Sequence, residues 1–220
     1  MKNKKHKGIL GRLQRTPKWK KEEFKEIEYE PTTVKELLTE MKDISELITD
    51  LAYSAVLFDN KEIAEEVKYL EVRMDKLNYD IRIMAMLAAR TKEDAEQLAG
   101  ILQVAEAAES ISNTAGDIVK LLSKSKTGPI LPKILKQADE QLFRRKVSSS
   151  SNACNKTISE LRVESETGMR IIAIRRGECW IYNPQSDTKI MADDWLITRG
   201  TDEGFKELSK FLHGELEVLE

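Results

Sequence analysis

The sequence predicts a two-domain chain, an all-α antiparallel helical bundle followed by a small α+β domain. Three observations predict it. Between Thr32 and Gly128 there is no proline, and glycine occurs only at positions 100, 116 and 128. Across that stretch apolar residues return in alternating steps of three and four, the period of one helix face. After Arg145 the texture changes to short β-branched and aromatic runs divided by turn residues.

Residues 1–30 read as a basic arm: Lys2, Lys4, Lys5, Lys7, Arg12, Arg15, Lys18, Lys20 and Lys21 all precede the first acid, Glu22. Such a stretch could touch a membrane surface, RNA or an acidic partner, but its apolar residues are too sparse for a sustained amphipathic helix, so a solubilising tail is the expected form. Residues 31–128 carry the bundle. Thr33 with Glu36 has capping-box spacing, and Leu37, Met41, Ile44, Ile48, Leu51, Ala55 and Phe58 form the first stripe. Asp59-Asn60-Lys61 breaks the pattern. Ile63, Val67, Leu70, Met74, Leu77, Ile81, Met84 and Ala88 form the second stripe. Thr91 is a candidate cap for a third helix, whose stripe runs Leu98, Ile101, Leu102, Ala105, Ala108, Ser112, Ala115, Val119 and Leu122. Three such helices on short turns hide their stripes only against one another, and a remaining apolar face is available for pairing.

Gly128, Pro129 and Pro132 close the bundle, and residues 129–143 are expected to form a linking helix. In the second domain, residues 144–214, a helical turn at Thr157–Leu161 precedes a strand at Met169–Arg175. Arg176-Gly177-Glu178 turns the chain into a second strand, Cys179–Tyr182. A further strand at Asp194–Thr198 and a helix from Thr201 or Asp202, with Phe205, Leu208, Phe211 and Leu212 on one face, complete it. Residues 215–220 are a tail. About 70 residues make a marginal core, so a paired form is expected.

Composition narrows the function. The formal net charge is -2, and Cys154 and Cys179 are the only cysteines, with no CxxC, no signal peptide and no apolar run of the ~20 residues that span a bilayer. These features place the chain in the cytoplasm, tied to the inner face of a membrane only through a partner, with nucleic acid not expected among its partners. His6 and His213 stand far apart, and no GxSxG, HExxH or Gly-rich phosphate loop occurs, so no enzyme is expected.

Lys156-Thr157-Ile158-Ser159-Glu160-Leu161, Gly168, Ile171 through Arg176, Trp180-Ile181-Tyr182-Asn183-Pro184, Asp187, Asp194, Leu196-Ile197 and Gly200 together resemble the TrkA C-terminal (RCK_C) domain. That family comprises regulatory modules of potassium channels and other ion transporters. The chain departs from it at Asn155 and Asp193, where glycine is common; both residue types tolerate left-handed geometry. Thr32 to Leu122 is similar to one three-helix unit of a PhoU domain, a family with acidic metal motifs. Glu71-x-x-x-Asp75 matches its Glu-x-x-x-Asp pattern, whereas the third helix has Glu109 and Asn113. The whole resembles potassium-channel-related proteins that join these two parts, without the Gly-rich dinucleotide-binding domain; binding of NAD is therefore not expected.

Two sites follow. Glu71 and Asp75, with Glu109 and Asp117, could offer carboxylates to a divalent metal, against the ordinary reading of solvated acids neutralised by Arg73, Lys76 and Arg82. In the second domain Arg175 and Arg176 end one strand and Asn183 and Pro184 end its partner, with Ile172 and Ile174 as a wall beneath a ligand. The resemblance implies a small ligand, a cyclic dinucleotide in some members, held between paired domains. The leading expectation is a sensor that docks on an ion channel or transporter as a homodimer. The alternatives are a PhoU-like metal-binding regulator whose second domain only dimerises, and a ligand-free adaptor.

Overall fold

The computed structural model describes residues 33–123 and 138–219. The described residues fall into two compact units, 33–123 and 138–219. The basic arm, Gly128 and the two closing prolines lie outside the described residues.

The helical unit contains α1 (Val34–Leu57), α2 (Lys61–Ala88) and α3 (Lys92–Ser123), each packed on the other two. Thr33 opens α1 as half of a capping box, its hydroxyl accepting from the Glu36 amide while the Glu36 carboxylate accepts from the Thr33 amide. Asp59, at a φ of 47°, makes the corner between α1 and α2, and Asn60 Oδ1 caps α2 by accepting from the Glu62 and Ile63 amides. Thr91 and Asp94 cap α3 reciprocally. The core is made by the three stripes: Met41, Ile48, Leu51, Val67, Met74, Leu77, Ile81 and Ala105 are wholly buried. Ala88, at the last turn of α2, is exposed, and Phe58 and Met84 are half-buried.

The second unit is an α+β domain built on a four-stranded antiparallel sheet in the order β1-β4-β2-β3. The strands are β1 (Gln141–Lys146), β2 (Arg170–Arg176), β3 (Cys179–Tyr182) and β4 (Trp195–Gly200). Two short helices, α4 (Ile158–Leu161) and α5 (Val163–Thr167), and the terminal α6 (Asp202–His213) accompany it. Val147, Leu161, Val163, Met169, Ile171, Ile174, Leu196, Leu208, Phe211 and Leu212 form one buried cluster between them. Asn155 and Asp193 both take a φ of 66°, so the two residues that stand where glycine is common do occupy left-handed turns.

Two elements differ from the sequence expectation. Gln141–Lys146 is an edge strand, where the linking helix was expected to end at Phe143. The strand forms because β4 offers it a full antiparallel ladder, Gln141 opposite Gly200 through Lys146 opposite Trp195. Phe143 then stacks on Phe205 of α6 at 4.0 Å, while Arg144 lies 4.0 Å over the Trp195 ring. Helix propensity is a weak preference that such tertiary pairing overrides. The second difference is α5, whose five residues are too few to show a period.

Candidate functional site

A cleft of about 370 Å³ opens in the α+β unit, lined by Ile158, Val163, Glu164, Met169, Arg170, Ile171, Asn183, Pro184 and Gln185. The hairpin register places it. From the Gly177 turn, Arg176 pairs with Cys179, Arg175 with Trp180 and Ala173 with Tyr182. Asn183 therefore falls opposite Ile172, whose carbonyl accepts from the Asn183 amide at 2.9 Å. Asn183 turns through a φ of 40° into Pro184, and the Gln185 side-chain amide donates to the Asn183 carbonyl at 2.9 Å. The following loop is held against α4: Ile158 N donates to Thr188 O at 3.0 Å and Ser159 N to Ser186 O at 2.9 Å. Thr157 caps α4 with Glu160, whose carboxyl is held below its usual range by the Thr157 amide and hydroxyl.

A β-bulge shapes the floor. β2 pairs Ile171 with Thr198 and then Ala173 with Ile197, which leaves Ile172 as the extra residue against β4. The bulge shifts the alternation of faces, so Ile171 and Ile174, three residues apart, both enter the same buried cluster. Ile172 is also buried but lies outside that cluster.

Of the six residues expected around a ligand, Asn183 and Pro184 line the cleft, and Ile172, Ile174, Arg175 and Arg176 do not. The expectation that the Arg175-Arg176 end meets Asn183 is corrected, because the first strand of a hairpin ends at the turn whereas the second ends away from it. Arg176 instead binds Asp194 in a two-pronged pair, at 2.8 and 2.7 Å, and donates to the Lys189 carbonyl at 2.7 Å. Asp194 is wholly buried and also accepts from the Met191 amide. This arginine is a structural clasp. The basic residue that does line the cleft is Arg170, and counting the register outward from Gly177 is the signal that finds it. Ile172 and Ile174 were expected to share a wall by simple alternation, which the bulge interrupts.

Of the four candidate metal acids, Asp75 and Asp117 lie within electrostatic reach of Glu71, whereas Glu109 stands apart. The Glu71 carboxylate lies over Gly116, where an added methyl group would be in collision with it. Burial raises its pKa, offset by the charge of Lys120 and reinforced by Asp75 and Asp117. Burial likewise raises Asp75. Asp117 pairs with Lys120 at 2.7 Å. Glu109 lies about two turns away on α3, where it accepts from the Asn78 side chain. Among the described residues no three acidic, histidine or cysteine side chains are placed to hold one ion. Burial raises the thiol pKa of Cys154, helped by Asp194 and Asp193, and its Sγ donates to the Ser148 carbonyl.

Comparison with known proteins adds the following. Residues 142–213 match the TrkA-C domain and residues 38–122 match the PhoU domain. No curated protein matches the chain. Among solved structures, the RCK_C domain dimer of S. agalactiae BusR in complex with c-di-AMP is similar at 23% identity and a TM-score of 0.33, covering 35% of this chain and 95% of that one. The RCK C domain of the potassium transport protein KtrA, in complex with c-di-AMP, is similar at 23% identity and a TM-score of 0.31, covering 38% and 96%. BusR in complex with its busAB-promotor DNA is similar at 17% identity and a TM-score of 0.32, covering 80% and 97%. The last complex overturns the expectation that nucleic acid falls outside the partners of such a chain. The physical error lay in using net charge. A sum of -2 averages over the molecule, whereas phosphate contact depends on local charge, and residues 2–21 hold nine lysines and arginines with no acid.

Proposed function

We propose, for a chain in which a PhoU-like helical domain precedes a TrkA-C domain, a regulator of cation transport that senses a small ligand at the Asn183–Pro184 cleft of paired TrkA-C domains. Both domains are regulatory, non-catalytic modules. The observation that carries the ligand reading is the chemistry of the cleft wall. Arg170 offers a planar donor fork for phosphate, Asn183 and Gln185 offer amides for a base edge, and Ile158, Val163, Met169 and Pro184 offer apolar surface. A cyclic dinucleotide, the ligand class in the BusR and KtrA structures, combines those needs. No described helix is long and apolar enough to cross a membrane.

The test is thermal unfolding of the full chain with c-di-AMP, a linear dinucleotide and ATP. At a free concentration of about 100 times Kd, a ligand specific to the folded state stabilises by about 2.7 kcal/mol. Arg170→Ala and Asn183→Gly should keep the unliganded midpoint, since Arg170 is exposed and glycine accepts the Asn183 turn, but lose the shift. Stabilisation by none of the three nucleotides, or a shift kept in both variants, rejects the reading.

A further inference from the structure

The outer surface of α2 carries a second, largely apolar row, three of whose side chains the bundle leaves exposed. Tyr69, Val72, Lys76, Tyr79, Ile83 and Met86 follow one another in steps of three, four, three, four and three, the repeat of a coiled-coil seam. Val72 is 46% exposed, Tyr79 52% and Met86 66%, while Tyr69 and Ile83 are half-buried. The inward row of the same helix, Ile63, Val67, Leu70, Met74, Leu77 and Ile81, is buried against α1 and α3. Single exposed apolar side chains need no explanation, but three in heptad register along a helix that has already buried another face do.

We propose that this row is a dimer seam, and that its occupant is α2 of a second copy of the chain, running antiparallel. The charges beside the seam select both the partner and the direction. Asp75 and Arg82 lie on one flank, Arg73 and Asp80 on the other. In a parallel pair, Asp75 of one copy meets Asp80 of the other, and Lys68 meets Arg73. Both contacts are repulsive. In an antiparallel pair about a twofold axis between Lys76 and Tyr79, Asp75 meets Arg82 and Arg73 meets Asp80, while Val72 packs on Ile83 and Lys76 reaches the Tyr79 ring. The same helix therefore complements itself in one direction only. Arg73 already holds Glu40 at 2.8 Å, whereas Arg82 holds Glu106 only through an exposed contact of 3.2 Å, so the Asp75–Arg82 pair is the one that directs the dimer. Val72 to Met86 spans about 21 Å of helix, and one such seam falls below the ~800 Å² per partner of a standard interface. The seam is a weak one, strengthened wherever a second attachment joins the copies.

Cysteine cross-linking in the full chain, with Cys154→Ser and Cys179→Ser, tests this independently of any ligand. Val72→Cys combined with Ile83→Cys should form a disulfide-linked dimer on mild oxidation. Each substitution alone should not, because only an antiparallel pair brings one against the other. The two sites are too far apart on one helix, about 16 Å, to bridge within a copy. Adding Arg82→Asp should lower the yield about tenfold, and Asp75→Arg together with Arg82→Asp should restore it. The proposal is overturned by a double-variant yield no higher than that of Val104→Cys, a comparably exposed site on α3, or by single variants that link as fully as the double. A monomer whose introduced cysteines resist alkylation also overturns it, since another segment of the chain then covers the row. A failed nucleotide shift with successful cross-linking removes the ligand reading alone, and the reverse removes this one.

Discussion

At Asn155 the chain accepts a backbone conformation that costs most L-residues about 1–2 kcal/mol, and the amide side chain makes it tolerable. Asn155→Ala should therefore lose about 1 kcal/mol in denaturant unfolding, while Asn155→Gly holds or gains stability. Arg176 poses a different problem, since it neutralises a wholly buried Asp194. Arg176→Ala should cost about 3 kcal/mol by stranding that charge, far more than Arg170→Ala at the exposed mouth of the cleft. Glu71 adds a pH dependence. Its folded-state pKa is raised, chiefly by burial, so the folded form binds the proton more tightly than the unfolded one. The destabilising contribution is present above the folded-state pKa and is relieved as pH falls through it toward the ordinary 4.5. Glu71→Gln should be more stable than wild type at pH 7, and the difference should shrink on acidification across that window. A difference that stays constant with pH would remove burial of the charge as its cause.

The elements that build the cleft depend on positions no larger than a backbone atom. At the N-terminus of α6, a methyl group on Gly204 would run into the Thr167 carbonyl at the end of α5. Neither atom can yield without moving a helix. Gly204→Ala should cost about 2–3 kcal/mol, read as a lowered unfolding midpoint with unchanged helix content at low temperature. The bulge at Ile172 is the other such device. It brings Ile171 onto the same side as Ile174 and lets β2 present Arg170 beside Asn183. The capping residues, by contrast, act locally: Thr33, Thr91 and Thr157 each meet an acid three residues on, and the first two of these caps were legible before any packing was known.

On the scale of the whole molecule, two units with separate cores imply two distinguishable unfolding events. Calorimetry of the full chain with a bound nucleotide should move the event of the α+β unit and leave that of the helical unit in place. A common shift of both would tie the units into one cooperative body. Neither unit is large, and each carries a surface suited to pairing, the TrkA-C domain by the proposed ligand and the helical unit by the outer row of α2. Distribution of charge matters on this scale too. The near-neutral total conceals a basic N-terminal segment, which is why the sum was a poor guide to partners.

Periodicity, turn chemistry and caps depend on neighbours within a few residues, and these were sufficient to determine three helices, a hairpin about Gly177 and a terminal helix from the sequence alone. The left-handed turns at Asn155 and Asp193 were implied instead by the family resemblance, in which glycine is common at both positions. The conversion of Gln141–Lys146 from expected helix to edge strand needed an open β4 beside it. The parity change at Ile172 needed a second strand to be out of step with the first. The choice between Arg170 and Arg175 at the cleft, and the separation of Glu109 from Glu71, followed from register and helix packing. Those features are energies of contact between distant segments, and they exist only once the segments meet.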